Sequence, residues 1–244
     1  MRPHAPGFSI ISCSVFRREI EAYLPDLERP PLSVDFFEIG LHLEPLKMRA
    51  QLQKMIDDTA SKTAPESILL LCGLCGNAVL GLSSPSCALV LPRMHDCLSM
   101  FLGGAEAYEK LKRDCPRAYF ASPGWIDGGL LASKALHDSH MESYSKKYSG
   151  DPEILEELSD AFFEQFKEYD TYFYAEFLPC PKCEAQCAGH AEFMGWGFRK
   201  IESDDRFFKA ALRAEWDGRF LVVPRGKSVR AAAGKGILDF GDAS

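Results

Sequence analysis

The chain has no excess of basic charge, since 28 Lys and Arg stand against 35 Asp and Glu, for a formal net charge of -7. Nucleic acids and anionic membrane surfaces bind basic surfaces, so the composition argues against both as partners. The sequence also lacks an apolar run of the roughly 20 residues that a membrane-spanning helix needs. The short apolar stretch after residues 1–7 does not resemble a signal peptide. We therefore expect a cytoplasmic protein that acts on a small molecule or a protein.

Several enzyme signatures are missing as well. The sequence contains no Walker loop of the pattern G-x4-G-K-[ST] and no nucleophile elbow G-x-S-x-G. The stretch Gly73-Leu74-Cys75-Gly76 lacks the G-x-G-x-x-G order of a dinucleotide-binding loop. The common nucleotide and serine-hydrolase chemistries are therefore not indicated.

Short apolar segments recur along the chain, and most precede a helical stretch. The candidate strands are residues 8–12, 34–39, 67–71, 87–91, 117–121, 171–177 and 219–223. An uninterrupted apolar run is typical of a strand buried on both faces. The alternation predicts an α/β fold, with a mainly parallel sheet and helices on both faces. We expect one domain at residues 1–230, with two intimate lobes meeting near 125–150 as an alternative, and a flexible tail at 231–244.

Soft ligands follow two of these strands. Cys72 and Cys75 come directly after the strand at 67–71, and His95, Asp96 and Cys97 follow the strand at 87–91. The carboxyl ends of parallel strands lie along one edge of a sheet, where ligands of such folds bind. We therefore expect one site at this edge, while Cys72, as the residue next to a buried strand, also fits a place in the core.

Cys75 is the expected nucleophile or metal ligand of this site. Gly76 and Asn77 indicate a turn in which Asn77 caps a helix that begins at Ala78. A thiol beside a helix N-terminus ionises more readily, and the thiolate is the reactive form. His95 is the candidate base, with Asp96 either orienting its ring or only capping the following helix.

A second cysteine group lies at residues 180–187. Cys180, Cys183 and Cys187, with His190, have the spacing C-x2-C-x3-C-x2-H. This spacing is tight for a zinc site and fits an iron-sulfur cluster better, with Cys75 or Cys97 as the fourth ligand. The alternative is a cysteine-rich loop that holds no metal.

Three further residues are weaker candidates. His42 ends a strand and is a possible metal ligand or a structural hydrogen-bonding group. Arg93 at a strand end could hold an anionic group, with ordinary surface charge as the alternative. Trp125 follows Ser122-Pro123-Gly124 and could line a cofactor pocket or pack against neighbouring side chains.

Five strings that are spread over about residues 36–229 carry a family resemblance. They are GLHLEP, CGLCGNAVLGL, LVLPRMHDC, YFASPGW and WDGRFLVVPRG. In this order they resemble the domain of unknown function 1638 family. Its members resemble proteins encoded beside corrinoid-dependent methyl-transfer systems, which implies a corrinoid or redox protein as a possible partner. The chain lacks the D-x-H-x-x-G corrinoid-ligand signature, so we do not expect it to carry base-off cobalamin itself.

Three functions are consistent with these residues. The first is a metalloenzyme, with a transferase of one-carbon metabolism as the candidate activity, in which Cys75, His95 and Cys97 hold zinc or part of an iron-sulfur cluster. The second is an accessory protein that handles a metal or cluster for a corrinoid methyltransferase. The third is a metal-free enzyme with Cys75 as nucleophile and His95 as base.

Overall fold

The structure is a computed structural model that describes residues 7–233 and 237–242. The strands are β1 (Phe8–Cys13), β2 (Val34–Phe37), β3 (Ser67–Leu71), β4 (Ala88–Pro92), β5 (Ala118–Ala121), β6 (Thr171–Tyr174), β7 (Gly197–Lys200), β8 (Phe220–Val223), β9 (Lys227–Ala231) and β10 (Leu238–Asp242). The helices are α1 (Arg17–Tyr23), α2 (Pro45–Thr63), α3 (Leu98–Phe101), α4 (Ala105–Asp114), α5 (Pro123–Asp127), α6 (Lys134–Lys147), α7 (Pro152–Glu164), α8 (Pro181–Met194) and α9 (Arg206–Leu212).

The chain divides into two compact units. Unit 1 comprises Met1–Tyr108 and Asp204–Ser244, and unit 2 comprises Glu109–Ser203. The boundaries therefore lie near residues 108 and 203, rather than in the 125–150 stretch where the sequence suggested that lobes would meet.

Unit 1 contains a five-stranded sheet in the order β2-β1-β3-β4-β8. The first four strands pair in parallel, and β8 pairs antiparallel with β4. Every residue of β3 is buried, as its uninterrupted apolar run predicts for a strand covered on both faces. The carboxyl ends of β1, β3 and β4 consequently lie along the same edge.

Unit 2 contains a three-stranded parallel sheet in the order β5-β6-β7. Its core combines Tyr172 and Tyr174 of β6 with Cys183 and Cys187 of α8. The α/β class and the mainly parallel pairing predicted from the sequence are confirmed, but the described strands form three sheets, of five strands, of three strands and of the pair β9 and β10. Among the helices that the structure describes, none has the length and apolar content to cross a membrane.

Two local predictions differ from the structure. Of the segment 231–244, expected to be a flexible tail, residues 234–236 and 243–244 lie outside the described residues. Its described part contains the end of β9 and the whole of β10, which pair antiparallel. The helix expected after Asn77 is absent, since residues 75–81 form successive turns. Cys75, Gly76 and Asn77 have φ values of 45°, 63° and 69°, so Asn77 does not adopt the extended backbone from which an N-cap residue starts a helix.

Candidate functional site

The site in unit 1 is built where the loop after β3 meets the loop after β4. Leu74 N–H donates to the Met94 carbonyl at 3.1 Å, and Cys75 N–H donates to the His95 carbonyl at 3.4 Å. Gly73 allows this approach, because a Cβ at that position would lie 2.6 Å from the Asp96 Cα. The two loops thus form one backbone-linked structure.

The loop after β3 is also fixed from α2. Arg49 donates through Nη2 to the Asn77 carbonyl at 2.8 Å and through Nε to the Ala78 carbonyl at 3.4 Å. These bonds hold a segment in which Cys75 is a non-glycine residue with positive φ. Such a conformation costs free energy and persists only where surrounding contacts impose it, which is common at functional sites.

Four cysteines lie near one another at this edge of the sheet. Cys13 ends β1, Cys72 follows β3 directly, and Cys75 and Cys97 lie in the two linked loops. The Cys97 thiol is hydrogen-bonded with the sulfurs of both Cys13 and Cys75. Cys13, Cys72 and Cys97 are 6%, 1% and 5% exposed, whereas Cys75 is only half-buried. Cys75 is therefore the member of the cluster that a small molecule can reach.

The thiols of the cluster differ in the direction of their pKa shifts. The hydrogen bond from Cys97 lowers the pKa of Cys75, and a further hydrogen bond from the Gly73 backbone acts in the same direction. Burial and the nearby Asp96 charge oppose this shift without reversing it. The bonds to Cys13 and Cys75, together with burial, raise the pKa of Cys97 well above its ordinary value. Burial likewise raises the pKa of Cys72.

The easier ionisation expected for Cys75 is thus present, but its cause differs from the predicted one. The sequence attributed it to a helix N-terminus, and the structure has no helix at that point. A neighbouring S–H group supplies the stabilisation of the thiolate instead.

His95 and Asp96 are at the same edge as Cys75 but in different roles. The His95 side chain is exposed, while its carbonyl accepts the Cys75 N–H. Asp96 Oδ1 accepts the N–H groups of Leu98 and Ser99 at 2.9 and 3.4 Å, and Oδ2 accepts the Tyr108 hydroxyl. Both carboxylate oxygens of Asp96 therefore have structural partners, which matches the capping alternative.

His42 and Arg93 have partners in unit 1. The His42 Nδ1 contacts the Ile39 carbonyl, within a 3-10 helix at Ile39–Leu43. The Arg93 guanidinium donates to the Leu238 carbonyl and so ties the loop after β4 to β10. Both side chains thus contact backbone carbonyls of unit 1.

The remaining candidates belong to unit 2. Trp125 lies in α5 and packs, partly buried, against the core around Tyr172 and Tyr174. Cys180 and Cys183 are joined in a disulfide at the start of α8, and Cys187 is a fully buried thiol one turn later. The expected free thiols at 180 and 183 are thus bonded to each other.

The donor set expected for a metal does not assemble in the part of the chain that the structure describes. Within residues 7–233 and 237–242, no group of three or more His, Cys, Asp or Glu side chains is arranged so that it could hold a metal ion. Of the expected ligands, Cys75 and Cys97 are in contact. His42 is bonded to a backbone carbonyl, and the sulfurs of Cys180 and Cys183 are bonded together.

Two residues of the site were not identified from the sequence. Cys13 is not among the residues expected at the site, although it is the last residue of a strand whose carboxyl end lies at the same edge. Tyr108 in α4 reaches Asp96 from 12 residues away, and no local pattern indicates this contact.

The comparisons with known proteins give one match. The family model described as "Protein of unknown function (DUF1638)" matches residues 36–212. That range includes the loops after β3 and β4 and the cysteines of α8, but it excludes Cys13. No curated protein and no solved structure matches the chain.

Proposed function

This chain belongs to the DUF1638 family of proteins of unknown function, and we propose that it is a thiol-dependent enzyme whose nucleophile is the Cys75 thiolate. The observation that carries the proposal is the placement of Cys75: backbone bonds join the loops after β3 and β4, and Cys75 is the half-buried thiol beside the buried Cys97. The Cys97 thiol, as a hydrogen-bond donor, lowers the pKa of Cys75, while the pKa of Cys97 itself is raised. Since the thiolate is the form that attacks electrophiles, the lowered pKa supports Cys75 as the nucleophile.

Accessibility supports the same assignment. The three neighbouring thiols are buried, so the substrate meets Cys75 first. The positive φ of Cys75 is maintained by the Arg49 bonds and by the link to the His95 carbonyl. This pre-organisation fixes the sulfur at the carboxyl edge of the sheet, where ligands of parallel α/β folds bind.

The proposed reaction is the transfer of a carbon group from a small molecule. The Cys75 thiolate attacks an electrophilic carbon, a C–S bond forms, and the leaving group departs with the electron pair of the broken bond. A second nucleophile then attacks the same carbon and displaces Cys75 as a thiolate. His95, exposed on the linked loop, is the proposed proton donor to the leaving group. A reducing compartment such as the cytoplasm would preserve the free thiol of Cys75.

The test is the pH dependence of Cys75 alkylation by iodoacetamide, followed by peptide mapping. In the wild-type chain the rate should rise with an inflection at a lower pH than in the unfolded chain, where Cys75 is an ordinary free cysteine. Cys97→Ala removes the donor and should move the inflection upward. Cys97→Ser retains an O–H donor and should move it less. An unchanged profile in Cys97→Ala would contradict the proposal.

Anaerobic purification with elemental analysis separates this function from the metalloenzyme alternative. A metal-free protein with a reactive Cys75 supports the thiol enzyme. Stoichiometric zinc or iron that is lost in Cys75→Ser would overturn it in favour of a metal site. If both Cys75→Ser and Cys183→Ser lowered the metal content, a centre shared by the two cysteine groups would be indicated.

A further inference from the structure

Unit 2 contains a second cysteine site with a different arrangement. The sulfurs of Cys180 and Cys183 are bonded at the start of the 14-residue helix α8. This helix connects β6 to β7, which pair in parallel, so the pair lies at the strand-to-helix junction of a βαβ unit. A C-x-x-C sequence at such a junction is typical of dithiol redox sites.

The helix start is arranged to hold charge on one of the two sulfurs. Cys180 is the N-cap residue, and the Cys183 N–H donates to its Sγ at 3.4 Å. The first amides of a helix and its dipole favour negative charge at this point. When the disulfide is opened, the Cys180 sulfur is therefore the better placed of the two to remain a thiolate.

The acidic side chains beside the pair are compensated by a lysine. The Cys180 N–H donates to Glu176 Oε2 at 2.8 Å, and Glu176 is almost fully buried. Lys200 Nζ lies 2.6 Å from Glu176 Oε1 and 2.7 Å from Glu184 Oε2. Because the lysine offsets these carboxylates, their repulsion of a Cys180 thiolate is reduced.

The third cysteine of the group is not equivalent to the other two. Cys187 is fully buried, and burial raises its pKa to about 12. Its thiol therefore stays protonated and inaccessible at neutral pH. The three cysteines are therefore not equivalent: Cys180 and Cys183 form a disulfide, and Cys187 is an unreactive thiol.

We propose that Cys180 and Cys183 form a redox-active dithiol–disulfide centre that is reduced by a dithiol and functions independently of Cys75. A thiolate of the reductant attacks the Cys180 sulfur, which is 8% exposed against 4% for Cys183. The bond between the two cysteines breaks, and its electron pair goes to the Cys183 sulfur, which takes up a proton. The second thiol of the reductant, as a thiolate, then attacks the reductant sulfur of the mixed disulfide and releases Cys180 as a thiolate. The reductant leaves as a disulfide, so two electrons have been transferred.

The first experiment is a redox titration of the intact chain with dithiothreitol. The protein is equilibrated without oxygen in mixtures of reduced and oxidised dithiothreitol, quenched with a maleimide, and analysed by peptide mapping. Cys180 and Cys183 should become labelled together, in one two-electron transition and without denaturant. Cys187→Ser and Cys75→Ser should leave that transition unchanged. The second control separates this centre from the proposed enzyme site, whose reactivity Cys75→Ser removes.

The second experiment identifies the attacked sulfur with glutathione disulfide. The Cys183→Ser protein should form a stable glutathione adduct at Cys180, several-fold faster than the Cys180→Ser protein forms one at Cys183. Equal rates, or faster reaction of Cys183, would overturn the assignment of Cys180 as the exchanging residue.

Three results would overturn the redox centre itself. The first is labelling of both cysteines in the fully oxidised mixture, which means that no bond forms. The second is a bond that dithiothreitol opens only after denaturation, which is the behaviour of a structural disulfide. The third is a bound metal in the purified protein that Cys183→Ser releases.

Discussion

Gly73 lies with its backbone against that of Asp96, so that a Cβ on Gly73 would be 2.6 Å from the Asp96 Cα and 2.9 Å from its N and C atoms. All three neighbours are backbone atoms, which cannot rotate away as the end of a side chain can. The loops after β3 and β4 can therefore touch only if position 73 has no side chain. This contact sets how closely Cys75 and Cys97 approach, since each lies a residue or two beyond it.

Gly73→Ala should separate the two loops. The hydrogen bond from Cys97 to Cys75 then lengthens, the pKa of Cys75 rises, and alkylation of Cys75 at pH 7 slows toward the rate of Cys97→Ala. Overpacking of this kind typically costs about 1–3 kcal/mol in the free energy of unfolding. Gly218→Ala is the matched control, because nothing lies within 4 Å of a Cβ at that position. Unchanged alkylation in Gly73→Ala would show that the loop contact does not control the thiol.

Asp96 should affect Cys75 through its charge and α3 through its capping bonds. The carboxylate raises the pKa of Cys75, so Asp96→Asn should lower that pKa further and speed alkylation below pH 8. Asparagine retains an oxygen for the Leu98 N–H, and its NH2 group can donate to the Tyr108 hydroxyl oxygen in place of the bond that Oδ2 accepts. Its stability should therefore fall less than that of Asp96→Ala. Asp96→Ala should lose the cap and about 0.5–2 kcal/mol of unfolding free energy. Slower alkylation in Asp96→Asn would instead indicate that the carboxylate activates a base.

Cys72 and Cys75 should differ strongly in reactivity although they are three residues apart. Burial raises the pKa of Cys72, while the Cys97 hydrogen bond lowers that of Cys75. In the folded protein at pH 7 we expect Cys75 to be alkylated at least about tenfold faster, which is the effect of a single pKa unit on the thiolate fraction. Peptide mapping over a time course measures both rates, and equal rates in the native protein would remove the activation argument. Equal rates are expected only in the unfolded chain.

Cys187 should make unit 2 sensitive to alkaline pH. Its pKa is raised to about 12 by burial, so the thiol stays protonated in the folded state while it ionises in the unfolded state above about pH 9. The unfolded state then binds fewer protons, and this contribution to stability is complete below pH 8 and decreases as the pH rises toward 12. The slope is about 1.4 kcal/mol per pH unit for one group.

Urea unfolding at pH 8 and pH 10 tests this expectation. The wild-type chain should lose more stability between the two pH values than Cys187→Ala, which has no thiol to ionise. Both proteins retain Tyr172 and Tyr174, whose pKa values are raised by burial and, to a smaller extent, by the Cys187 charge. The difference between the two proteins therefore measures the cysteine together with its effect on these tyrosines. An identical loss in both proteins would contradict the assignment.

The strand interiors were readable from the sequence for a physical reason. The first and last residues of β3 were both predicted correctly, because a strand that is covered on both faces must be apolar throughout. β7 was missed, since it is an edge strand of four exposed residues without an apolar run. The division of the described strands among three sheets was not readable from the sequence, because strand pairing depends on contacts between segments distant in sequence.

The sequence by itself determined which loops carry the thiols, and that Cys75 and His95 follow neighbouring strands at one edge. These are consequences of local pattern and of the geometry of parallel sheets. Three contacts depend on the tertiary structure alone. They are the interaction of Cys13 with Cys97, the hydrogen bond from Tyr108 to the Asp96 carboxylate, and the disulfide between Cys180 and Cys183. The protonation of a thiol depends on groups that approach it through space. The order of residues in the sequence does not give the distances between such groups and the thiol.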